Sequence, residues 1–135
     1  MATFANFNIN DGQATPVAHT FAIASRNANL YEWHDRSGGT ISSYKKLSLG
    51  VRQNANGVYK VTIKVMDPKM AVTAPSSGTG VQPNPVAAYK TLANVQFDLP
   101  DATDRIARKD VLLYLIGALS NAQFQDTIID LAQPT

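Results

Sequence analysis

Two runs of strict alternation constrain this chain more than any other feature. They are residues 44–53 (YKKLSLGVRQ) and 58–66 (VYKVTIKVM). In the first, Leu47, Leu49 and Val51 point one way and Lys46, Ser48, Gly50 and Arg52 the other. In the second, Tyr59, Val61, Ile63 and Val65 oppose Lys60, Thr62 and Lys64. A period of two is the mark of a strand with one face buried and one wet. Asn54-Ala55-Asn56-Gly57 between the runs reads as a turn, so the pair is predicted to be antiparallel. Slipping either strand by one residue would bury its lysines, which specifies the register strongly.

The rest of the chain extends this sheet and then leaves it. Residues 4–9 and 14–24 flank Asn10-Asp11-Gly12, a hairpin signal, with Pro16 placing the start of the second strand at an edge or irregularity. Residues 29–35 form a third strand, and 35–43 a polar loop. Residues 67–88, carrying Pro68, Pro75, Pro83, Pro85 and a Ser/Gly run, are expected to form a long loop of the kind that is functional or disordered. Alternation resumes over 91–99. After Pro100 the period lengthens. Asp101 and Thr103 are N-cap candidates and Asp104 suits a first helical turn. The spacing predicts a helix over 103–119, a break at Ser120-Asn121, and a shorter helix through Phe124, Ile128 and Leu131. Strands followed by helices make an α+β fold: an antiparallel sheet with an N-terminal hairpin, then two C-terminal helices. The 135 residues are expected to form one domain, with 1–99 supplying hairpin and sheet and 101–132 the helices. The apolar helix faces are suited to cover the apolar sheet face, leaving the lysine face open.

Charge sharpens the functional reading. The net charge is only +2, but it divides into −1 over residues 1–44, +5 over 45–69, +1 over 70–97 and −3 over 98–135. On strands of period two, Lys46, Arg52, Lys60 and Lys64 share one face with Ser48 and Thr62, and Asn94 and Gln96 join them if the last strand pairs alongside. Cations neutralise phosphates, and short hydroxyls and amides reach base edges. A sheet can present such groups to single-stranded or looped RNA. A plain solvated face accounts for the same residues, and composition leaves both readings standing.

Catalysis has less support. The chain has no cysteine and two histidines, a poor set for zinc. His19 alternates with Val17, Phe21 and Ile23 and reads as a hydrogen-bonded structural residue. His34 has Glu32 and Asp35 beside it but no further ligand in sequence. Gly78–Gly80 lacks the lysine of a phosphate loop, and no nucleophile elbow occurs. Trp33 reads as core, with Tyr31. No enzyme activity, metal, cofactor or small-molecule substrate is expected. No apolar run is long enough to span a bilayer and no secretory signal is visible, so no membrane partner is expected either.

Five short stretches, in order, carry a resemblance. They are Glu32-Trp33; Val51-Arg52-Gln53; Thr62-Ile63-Lys64-Val65 with Pro68-Lys69; Pro85-Val86-Ala87-Ala88 before Tyr89; and Asn94 ahead of Pro100. Across residues 29–100 the chain resembles the coat protein of the single-stranded RNA bacteriophages, the leviviruses. The resemblance implies a homodimer in which two sheets join edge to edge and each helix pair reaches across its partner. It implies assembly of dimers into a quasi-equivalent icosahedral shell, the 67–88 loop adapting to the symmetry axes. It further implies an inner face that binds genomic RNA and an operator hairpin, repressing replicase translation, in a virion protein made in the bacterial cytoplasm. Lys46, Ser48, Arg52, Lys60, Thr62, Lys64 and Asn94 match RNA-facing positions. Gly50 stands where well-known members have a hydroxyl residue, and Leu92 where they have a stacking tyrosine. The alternative is a dimeric RNA-binding repressor that builds no shell.

Overall fold

The computed structural model describes residues 3–71 and 86–135. The central part of the predicted loop, 72–85, with Pro75, Pro83, Pro85 and Gly78–Gly80, lies outside the described residues, as do Met1 and Ala2. The chain divides into two compact units, Met1–Asp98 and Leu99–Thr135.

The first unit is a sheet of six strands in sequence order: β1 (Phe7–Asn10), β2 (Ala18–Arg26), β3 (Leu30–Asp35), β4 (Lys45–Gln53), β5 (Val58–Met70) and β6 (Ala87–Pro100), whose last residues pass into the second unit. The four pairings from β1 to β5 are antiparallel. The β4–β5 register is the one the alternation demands: Leu47 faces Val65, Leu49 faces Ile63 and Val51 faces Val61, while Ser48 faces Lys64 and Arg52 faces Lys60. The connecting turn is built by Asn54. Its Oδ1 accepts the backbone N–H groups of Asn56 and Val58, each at 3.0 Å. Gly57 then adopts φ +80°, the left-handed region where a Cβ is unfavourable.

Two expectations for the sheet change. The N-terminal hairpin is not closed by a tight Asp-Gly turn. Its strands are shorter, and residues 11–17 form a wider loop. Asp11 closes it by accepting Val17 N–H at 3.0 Å on its carboxylate while its own N–H reaches the Val17 carbonyl at 3.0 Å. Pro16 has no N–H for a ladder, so pairing resumes only beyond it. The predicted loop also begins later and ends earlier than 67–88, because β5 continues to Met70 and β6 begins at Ala87, joined by Ala71 N–H to Val86 carbonyl at 2.9 Å. Pro68 therefore lies within β5, where it is buried.

The apolar face gathers an aromatic cluster that includes the N-terminal segment. Phe4 meets Tyr31 and Trp33 edge-on, with centroids 5.3 and 5.1 Å apart, and Phe7 stacks on Phe21 while meeting Trp33 at 5.4 Å. The Trp33 indole N–H donates to the Ala5 carbonyl at 3.0 Å. Each such aromatic pair contributes about 0.5–1.5 kcal/mol beyond burial. Apart from Pro68, Trp33 and Phe21 are the only buried apolar side chains among the described residues (8% and 6% exposed). Ile23, Val51, Tyr59 and Val65 on the same face stay more than a third exposed in the single chain.

The second unit holds α1 (Arg105–Ser120) and α2 (Ala122–Asp130). The N-cap is Asp104 rather than Asp101 or Thr103; its Oδ1 accepts Ala107 N–H at 2.7 Å. Thr103 instead donates its hydroxyl to the Pro100 carbonyl at 2.6 Å. Asn121 ends α1 and starts α2, its side chain accepting Gln123 N–H at 2.9 Å. Neither helix buries a side chain, and Ile106, Leu113, Ile116, Phe124 and Ile128 are each at least half exposed in the single chain.

Gly57→Ala tests the turn on which the central hairpin depends. The left-handed backbone predicts a loss of about 1–2 kcal/mol of unfolding free energy, read from urea denaturation; no loss would mean the turn relaxes at no cost.

Candidate nucleic-acid interface

The polar face of the sheet starts from the β4–β5 register and spreads outward. In β4, Ser48, Gly50 and Arg52 stand opposite Lys64, Thr62 and Lys60 of β5. Across the other edge of β4, β3 aligns Leu30 with Gly50, Glu32 with Ser48, and His34 with Lys46. Each aligned pair shares a face, because side chains alternate in both strands. From the far side, β6 brings Asn94 and Gln96.

Ser48, Arg52, Thr62, Lys64 and Asn94 line one open concavity of about 630 Å³, together with Leu30, Glu32, Gly50, Val95 and Gln96. Five of the seven residues singled out in the sequence thus meet in one place. The other two lie on the same face outside it: Lys60 opposite Arg52, and Lys46 opposite Met66 and beside His34. Leu30 and Glu32 are contributors that the charge pattern did not reveal. The signal for them was the alternation of Leu30, Glu32 and His34 against Tyr31, Trp33 and Asp35, which needed the β3–β4 register to become informative.

The electrostatics of the face are uneven. Arg52 directly opposite Lys60 is a like-charge pair, and such cross-strand pairs are destabilising unless an anion lies between or above them. Glu32 supplies a carboxylate in the concavity and accepts the Ser25 hydroxyl at 3.0 Å. Burial, and then the nearby Lys46 ammonium, lower the His34 imidazole below its ordinary value. His34 is therefore neutral at pH 7, and the positive charge of the face comes from lysine and arginine.

Gly50 leaves a notch in the floor. A Cβ there would meet only the Asn29 carbonyl and Leu30 Cδ1 at 3.8 Å and the Thr62 carbonyl at 3.9 Å, ordinary contact distances. Its φ is not positive. The backbone therefore does not require glycine, and the missing side chain enlarges the concavity.

His19 takes no part in this face. It is held between two carboxylates, in keeping with a hydrogen-bonded structural histidine. Among the described residues no group of three His, Cys, Asp or Glu side chains is placed to hold a metal ion, and no helix is long and apolar enough to cross a membrane.

Comparison with known proteins agrees with the sheet and its order. The sequence model described as levivirus coat protein matches residues 2–134. The virus-like particle of bacteriophage ESE058 has a similar subunit, 28% identical, with a TM-score of 0.89 over 99% of this chain and 100% of that one. That of bacteriophage NT-214 is 30% identical, with a TM-score of 0.86 over 99% and 100%. The capsid protein of bacteriophage GA is 25% identical, with a TM-score of 0.68 over 93% of each chain. No curated protein matches the sequence.

The space above Gly50 predicts that Gly50→Ser folds normally. Replacing a strand glycine is worth up to about 1 kcal/mol of added stability, measurable as an unchanged or raised midpoint of thermal unfolding. A clear drop would show that the notch is already filled by a neighbour.

Proposed function

The chain belongs to the levivirus coat protein family, a family of structural proteins rather than enzymes, and from that premise we propose that its dimers build an icosahedral shell whose inner surface is the lysine-bearing sheet face. The capsid role rests on the family. The dimer is supported by the apolar surface that the single chain leaves uncovered: Val51, Tyr59 and Val65 on the sheet, and the exposed leucines and isoleucines of α1 and α2. Burying such surface is worth about 25 cal/mol per Å², and a second copy of the same chain offers apolar faces of matching kind. Two sheets joined by their β6 edges would also remove an unpaired strand edge.

We infer that the ligand of the polar face is single-stranded RNA, including the genome that the shell encloses. The observation that carries this reading is the like-charge pair of Arg52, which lines the concavity with Ser48, Thr62, Lys64 and Asn94, and Lys60, which stands opposite it. Phosphates relieve the like-charge repulsion, while hydroxyl and amide groups lie within the same patch to meet bases. Lys46 extends the positive charge along β4. Recognition of a particular operator hairpin, and with it repression of replicase translation, draws on the same residues. Gly50, which lacks a hydroxyl, and Leu92, which lacks a stacking ring, make that specificity weaker than general RNA binding; stacking of a base on an aromatic ring is by itself worth about 1–3 kcal/mol. Synthesis in the host cytoplasm and residence in the virion follow from the same reading.

Electron microscopy of the expressed protein should show closed particles containing RNA; a dimer that stays unassembled at high concentration with RNA present would favour the free repressor. Changing Lys60 and Lys64 together to alanine should reduce packaged RNA and lower the slope of log affinity against log salt by about 0.7 for each phosphate that is no longer neutralised. The variant should remain a folded dimer by light scattering. An unaltered slope would assign these lysines to solvation alone.

A further inference from the structure

Outside the polar face, three titratable side chains from successive segments of the N-terminal part of the chain converge. Asp11 lies in the β1–β2 loop, His19 in β2 and Asp35 at the end of β3. The His19 Nδ1 is 2.7 Å from one oxygen of Asp35, and its Nε2 is 3.0 Å from one oxygen of Asp11. The Asp35 side chain is only 4% exposed. Both partners are acceptors when ionised. Only the imidazolium donates from both ring nitrogens; a neutral ring would turn a lone pair toward one of the carboxylates. The two nitrogens point away from each other, so the carboxylates cannot converge on one ion with the ring.

The surrounding groups favour the charged triad. The Asp11 carboxyl is held below its ordinary value by the Val17 backbone N–H first and by His19 next. Burial pushes Asp35 up, but hydrogen bonds from Ser37 and from His19 together outweigh it and hold it below the ordinary value. His19 is raised by Asp11 and then by Asp35, against a smaller opposing effect of burial. Of the other charges nearby, Lys45 of β4 stands opposite Asp35 and opposes protonation of the ring. It is itself drawn to Asp67 of β5 at 3.4 Å. Arg36 directs its guanidinium to the Ile23 carbonyl at 3.3 Å.

We propose that Asp11, His19 and Asp35 form a proton-controlled fastener that ties the N-terminal hairpin to the end of β3, closed while the ring carries both protons and released when it loses one. A histidine raised in the folded state contributes stability that is complete below its unfolded value near 6.5 and is lost as pH rises through the folded value. The two lowered carboxyls contribute stability that is complete above 3.8 and is lost as pH falls through their folded values. The fastener is therefore closed from mildly acidic pH up to the raised histidine value. It opens on the alkaline side and again in strong acid. It does not depend on the RNA-binding reading.

Hydrogen–deuterium exchange of the full-length assembled or dimeric protein tests this between pH 6 and 10, with each rate divided by that of an unstructured peptide at the same pH. Protection over residues 7–20 should fall on the order of tenfold as His19 loses its proton, the scale of a charge-assisted hydrogen bond, while protection over 45–66 holds. His19→Gln should remove the pH step, and Asp11→Asn should move it to lower pH. A hairpin whose normalised exchange does not change with pH, or an identical step in His19→Gln, overturns the proposal. Should His19→Gln fail to fold, the His19 ring titration by NMR decides: a midpoint at or below the ordinary histidine value, or one that Asp11→Asn leaves in place, overturns it equally.

Discussion

The polar face depends on one pairing, that of β4 with β5. Once Leu49 lies opposite Ile63, Ser48 must lie opposite Lys64 and Arg52 opposite Lys60, because side chains alternate and the two strands run antiparallel. A shift by one residue would exchange the two faces completely. The turn that holds this register is made by local means, the Asn54 side chain accepting two backbone N–H groups and Gly57 taking a left-handed conformation. The like-charge pair of Arg52 and Lys60 that results is a local cost of that register.

A second constraint is the shortage of buried apolar surface. A sheet with one apolar face and two helices with apolar sides contain enough hydrophobic residues for a core. Yet in the single chain only Phe21, Trp33 and Pro68 among the described apolar side chains are buried. The aromatic cluster of Phe4, Phe7, Phe21, Tyr31 and Trp33 secures the N-terminal end of the sheet, while Val51, Tyr59 and Val65 remain uncovered. A family whose members build capsids from repeated subunits meets this need by association: what one chain leaves exposed, another chain can bury. Stability and assembly are then the same free energy seen at two levels.

The departures from sequence expectation have specific causes. Asp-Gly suggested a tight turn, but the Asp11 carboxylate had better partners six and eight residues away, in Val17 and His19, and Pro16 blocked pairing nearer the turn. The helix start moved to Asp104 because its carboxylate reaches the Ala107 N–H, whereas Thr103 turns back to Pro100. Pro68 is accommodated in β5 although it can donate nothing to a ladder, which a reading of proline as a breaker could not anticipate.

What the sequence determined by itself was which residues share a face. Alternation over 44–53 and 58–66 assigned Lys46, Ser48, Arg52, Lys60, Thr62 and Lys64 to one side, because the period of a strand is a local property of its backbone. It also marked His19 as structural and Trp33 as core. What only the tertiary structure decided was which faces become neighbours. Glu32 and Leu30 border the concavity through the β3–β4 register, Asn94 enters it from the far end of the sheet, and His19 finds Asp35 sixteen residues away. Periodicity says on which side a residue lies. Only long-range strand pairing, set by the packing of the whole sheet, says what lies beside it.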